Sequence, residues 1–169
     1  MLGVYDNYPI VVHNIADFST TIPSKRLQIA LVEALYKLNN QTLTLEETAT
    51  PSIPECKVNF EFGIAEACEF TYIDDEERQR IRKAIEKKPF LTVDFLCFIR
   101  YHKLKDMKRT TLKSDRYIVR FIFHQTLLQM QIFHEKGLMY VSPKDLPEFF
   151  ARKISAESSK KALKLQEEP

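Results

Sequence analysis

Three glycines and no tryptophan occur among 169 residues. Three glycines cannot build a phosphate-binding P-loop, a dinucleotide fingerprint or a Gly-x-Ser-x-Gly elbow, so enzymes that depend on those loops are excluded. No apolar run reaches the roughly 18 residues that a membrane-spanning helix needs. The first residues carry Asp6, Pro9 and His13 and no charged n-region followed by an apolar stretch, so no secretory leader is expected. Cysteine is sparse as well. Cys56, Cys68 and Cys97 cannot all pair and include no C-x-x-C, so free thiols and a cytoplasmic location are expected.

Apolar residues make up 44% of the chain, enough for a sizeable core. The length predicts one domain over residues 1–154, followed by a polar tail at 155–169 that is expected to fray. The net charge of +2 conceals a strong asymmetry. Residues 1–77 carry 4 basic and 13 acidic side chains, a net −9, whereas residues 78–120 carry 14 and 4, a net +10.

Residues 89–141 organise the rest. From Leu91 to His102, Val93, Phe95, Cys97, Ile99 and Tyr101 alternate with Asp94, Leu96, Phe98, Arg100 and His102, the two-residue period of a half-buried strand. Tyr117–His124 and Leu127–His134 repeat the pattern, and Glu135-Lys136-Gly137 reads as a turn into a fourth strand at Leu138–Val141. Ile10–Phe18 is a further strand, apolar on both faces and therefore expected at the centre of the sheet. Lys57–Ile73 fits either one bent strand or a hairpin around 63–67.

Helices are predicted at three places. Leu27, Ala30, Leu31, Ala34, Leu35 and Leu38 form one continuous stripe, opened by Pro23 and a capping Ser24. Asp74-Asp75-Glu76-Glu77 place acids at the positive end of a very polar helix that runs to Lys87 and stops before Pro89. Ser142-Pro143 opens a third, buried through Leu146, Phe149, Phe150 and Ile154. The order predicts an α+β fold: a single curved antiparallel or mixed sheet with about three helices mainly on one face. Ile132–Ile154, a hairpin followed by a Ser-started helix, resembles the end of one repeat of the TATA-binding-protein-like architecture. The resemblance is topological and implies a curved sheet backed by helices, without a function.

Four surfaces are candidates for chemistry. Lys103, Lys105, Lys108, Arg109, Lys113 and Arg116 lie on a basic loop between two strands, flanked by Arg100 and Arg120, beside the hydroxyls of Thr110, Thr111 and Ser114. Phosphate backbones are held by such residues, so RNA or DNA is the expected partner; a solvated charged loop and an acidic protein partner are the alternatives. Phe98, Ile118 and Ile122 make the second sheet face too apolar to be fully wet, which predicts a homo-oligomer interface unless the chain covers them itself. His102, His124 and Asp94 would form a metal or acid–base site only if separate strands bring them together. Cys56 and Cys68 lie among acidic residues, which raises a thiol pKa and opposes nucleophilic use. No catalytic residue, metal or cofactor is assigned, and a binding protein is expected rather than an enzyme.

Overall fold

The computed structural model describes residues 1–48, 56–105, 108–158 and 163–166. The chain builds β1 (Asn14–Ser19), α1 (Ser24–Leu38), β2 (Thr42–Thr44), a single turn α2 (Leu45–Thr48), β3 (Cys56–Glu66), β4 (Glu69–Tyr72), α3 (Asp75–Lys87), β5 (Thr92–Lys105), β6 (Lys108–Phe123), β7 (Leu127–Lys136), α4 (Leu146–Glu157) and β8 (Lys164–Leu165). All strands join one curved, open antiparallel sheet in the order β2-β3-β5-β6-β7-β1-β8, with β4 paired to β3. The α+β architecture is the expected one. No helix among the described residues is long and apolar enough to cross a membrane.

Alternation fixes which face of the sheet is buried. Register pairs Phe62 with Cys97, Cys97 with Tyr117 and Phe95 with Val119, and it sets Val119 opposite Ile132. These rows line the core, against which α1 and α4 pack. Phe149 of α4 stacks on Phe60 at 5.2 Å, and Phe150 meets Phe62 and Phe121 at 5.9 and 6.1 Å. Ile81 and Ile85 of the polar helix α3 join the same core. Its first turn is capped by the Asp74 carboxylate, which accepts from the Glu77 amide at 2.8 Å.

Several elements differ from the sequence reading. Ser24 does not cap α1; its hydroxyl accepts from Gln28 instead. The buried Gln28 side chain also exchanges two hydrogen bonds with the Phe90 backbone, replacing a strand partner there. β1 lies near an edge rather than at the centre, because its long partner is β7 and its other neighbour is the two-residue β8. That pairing also binds part of the expected tail: Leu163 is buried and Gln166 donates to the Asp17 carbonyl. Of the two readings of Lys57–Ile73 the hairpin forms, but its turn is at Ala67–Cys68, with Ala67 at φ 56°, and Gly63–Glu66 are still strand, paired to β4.

The fourth strand at Leu138–Val141 does not form. The buried Asp115 carboxylate takes its amides: Met139 and Tyr140 donate to it at 2.7 and 2.9 Å. Tyr101 Oη donates to the same carboxylate at 2.5 Å, and His134 Nε2 lies 2.8 Å from it. The Val141 carbonyl accepts from the Tyr117 hydroxyl. A carboxylate this deep is tolerated because the Tyr101 hydroxyl and the Met139 and Tyr140 amides all donate to it. Gly137 makes the arrangement possible. Its φ is 115°, and a side chain there would collide with Asp115 and the Ser114 carbonyl.

The second sheet face is partly covered by the first residues of the chain. Gly3 accepts from the Asp94 amide and donates to the Ala65 carbonyl, and Tyr5 donates its amide to Asp94 Oδ2. Tyr8 lies over the Arg120 guanidinium at 3.6 Å and donates its hydroxyl to Gln131. This strap fills part of the role that the apolar second face had suggested for another subunit.

Candidate functional site

The basic segment is a strand pair. β5 and β6 remain paired through His102–Thr111, Lys103–Thr110, Leu104–Arg109 and Lys105–Lys108. The ladder of β3 on β5 ends at Cys56–Lys103, and that of β7 on β6 at Arg116–Lys136. Beyond those pairs, among the described strands, β5 and β6 pair with each other alone. The expected loop is therefore a basic hairpin arm, flanked by β3 as far as Lys103 and by β7 as far as Arg116. The side chains of Lys103, Lys105, Lys108 and Arg109 lie outside the described residues.

At the root of the arm, backbone pairing sets Phe98 opposite Arg116 and Arg116 opposite Lys136. These three residues, with Lys113, Ser114, Gly137 and Leu138, line a cleft of about 740 Å³. Leu138 is 52% exposed and Phe98 is half-buried. A second cleft of about 280 Å³ shares Phe98 and Arg116 and continues toward Leu96, Phe70 and Tyr72. Gly63 shapes it: a Cβ there would stand 3.2 Å from Phe70 Cβ, so a side chain would crowd β4.

Two ion pairs flank Phe98. Arg100 Nη1 is 2.6 Å from Glu61 Oε1, and its guanidinium lies 5.1 Å from the Phe98 ring. Arg116 Nε is 3.0 Å from Glu135 Oε1, yet this buried nitrogen has no aligned hydrogen-bond acceptor. The exposed Lys113 stands in no described ion pair. The residues expected to hold phosphate thus separate into three groups. Lys113 and Arg116 border the clefts, and Arg100 lies beside Phe98. Four lie on the arm. Arg120 departs from the expectation: it is held by the buried Asp94 and covered by Tyr8.

The interface residues also separate. Ile118 is buried at 2% exposure within one chain, whereas Phe98 and Ile122 remain half-buried. His102, His124 and Asp94 do not converge. Asp94 and His102 are eight positions apart on one strand, roughly 25 Å at the usual rise, and His124 follows the far end of β6. Among the described residues no three His, Cys, Asp or Glu side chains form a cluster able to hold a metal. Burial raises the thiol pKa of Cys56, and that of Cys97 more strongly.

Sequence reasoning missed Lys136, Leu138, Phe70 and Tyr72. The signal for Lys136 was incomplete: counting back along both strands from the β6–β7 turn brings Glu135 opposite Arg116, and a register shift between Arg116 and Tyr117 sets Lys136 there instead. Phe70 and Tyr72 carried no such signal, because they reach the site through β4. No family model, curated protein or solved structure matches the chain, and the topological resemblance noted for Ile132–Ile154 gains no counterpart.

Proposed function

We propose that this chain is a nucleic-acid-binding protein whose contact surface is the basic β5–β6 arm and the cationic clefts at its root. One observation carries the reading. Lys113, Arg116 and Lys136, from two strands, border a single cleft at the base of an arm that bears Lys103, Lys105, Lys108 and Arg109. Of the two acids within residues 100–120, Asp115 is buried and engaged by hydrogen-bond donors. Phosphate oxygens are the natural acceptors for such a surface, and they exchange readily with the surface carboxylates now paired to Arg100 and Arg116. A cytoplasmic setting belongs to the same reading and is supported by the three free thiols.

Salt-dependent binding of purified, nuclease-treated protein to mixed-sequence RNA and DNA oligonucleotides tests the proposal. Affinity is expected to fall by about one log unit per log unit of salt for each phosphate neutralised. The triple variant K108E/R109E/K113E is expected to abolish binding at moderate salt. Absence of binding at low salt, or a triple variant that binds like the parent, overturns the reading.

A further inference from the structure

We propose that the cleft around Phe98 stacks an unpaired base, so that the ligand is single-stranded nucleic acid rather than a duplex. The inference rests on the nucleic-acid reading above and names its substrate class. The argument begins with the placement of Phe98. It is a half-buried aromatic on a stretch of sheet whose nearest polar neighbours are two ion pairs, Arg100–Glu61 and Arg116–Glu135. Its ring forms part of the wall of both clefts, with cations on the rims: Lys113 and Lys136 on one side, Arg116 between them.

Shape then selects the ligand. A volume of about 740 Å³ is ordinary for a bound small molecule and accommodates a nucleotide-sized group. A duplex keeps its bases stacked inside the helix, where a recessed aromatic cannot reach them. An unpaired base offers a π-face to an aromatic ring, while its backbone follows neighbouring cations. The second cleft extends the path: Phe70 and Tyr72 bring further aromatic rings beyond Phe98, and Tyr72 is 40% exposed. Arg116 Nε supplies an independent mark, a buried donor without an aligned acceptor where the two clefts meet. The carboxylates at the site, Glu61 and Glu135, each sit against an arginine, so a phosphate entering there does not meet a bare anion.

Fluorescence anisotropy on the full chain tests this, with labelled uridine-rich RNA of about twelve nucleotides, DNA of the same sequence and the corresponding duplex. Single strands are expected to bind at least tenfold more tightly than the duplex at equal salt. F98A is expected to weaken single-strand binding about tenfold, a typical loss for one stacked base, with the salt slope unchanged. F98W restores binding, and a fluorescent base analogue in the strand is quenched by the parent and by F98W but not by F98A. Binding of either the RNA or the DNA strand on these terms supports the proposal, and their ratio reads contact with the ribose hydroxyl. A duplex bound as tightly as a single strand, or F98A and F98W both indistinguishable from the parent, overturns the stacking site and leaves the phosphate reading standing. Binding of neither form overturns both.

Discussion

Asp94 and Arg120 stand opposite one another on β5 and β6 and form a two-point ion pair, with Nε 2.7 Å from Oδ1 and Nη2 2.9 Å from Oδ2. The carboxylate is wholly buried, and it also accepts the Tyr5 amide. Through this pair the strap is tied to the sheet. Removing the arginine strands a buried charge, so R120A is expected to destabilise the fold by about 3 kcal/mol in urea denaturation. Because Arg120 lies beneath Tyr8, oligonucleotide affinity of the folded R120A protein is expected to match the parent. A loss of affinity with full stability would place Arg120 on the binding surface instead.

Gly137 is the second sensitive position. At φ 115° a side chain is strained, and here it would also strike the Asp115 carboxylate. G137A is therefore expected to cost more than about 1 kcal/mol, read as a lower melting temperature. Displacing the crossing residues 138–141 should also reshape the cleft that Leu138 lines. Unaltered stability would show that the turn relaxes elsewhere.

Alkaline pH offers a third test. Burial, first among the causes, raises the phenol pKa values of Tyr8, Tyr101 and Tyr117 and the thiol pKa values of Cys56 and Cys97. The folded chain holds these protons more tightly than the unfolded chain. Their contribution is complete at neutral pH and declines once the unfolded groups ionise, from about pH 9 for thiols and about pH 10 for phenols. Stability is expected to fall by up to about 1.4 kcal/mol per pH unit for each such group. Y117F should reduce the slope above pH 10 in denaturation curves; an unchanged slope would contradict the assignment.

The thiols should differ in reactivity. Cys68 is exposed, whereas Cys56 and Cys97 are buried with raised pKa values. One fast-reacting thiol per chain is expected with a disulfide reagent at neutral pH, and C68S should remove it. Two fast thiols in the native parent would show that β3 or β5 opens readily.

Local periodicity made the core legible. The stripe of α1 and the alternation around Phe95, Val119 and Met130 each lie within one element, so neighbouring residues report them. Less legible was whatever depends on distant partners. The arm resembled a loop because Lys103–Lys113 is crowded with charge, yet Lys103–Lys105 pairs as a strand with Lys108–Thr110. Leu138–Val141 carried a strand pattern that a carboxylate more than twenty positions earlier overrode. The clefts combine residues of β3, β4, β5, β6 and β7 with the turn after β7, so charge counting found Lys113 and Arg116 and alternation found Phe98, but neither found Lys136, Phe70 or Tyr72.

Of these strands β1 is synthesised first, yet its partner β7 is among the last. Ser19 meets Leu127, 108 positions later, and Tyr5 reaches Asp94 across 89 positions. At ordinary elongation rates β1 therefore waits on the order of ten seconds for β7. During that interval β5 and β6 can already zip as a hairpin, while β1 lacks its long partner. The local β5–β6 hairpin can thus form before the long-range closure of β1 on β7, which has to wait for chain made more than a hundred positions later.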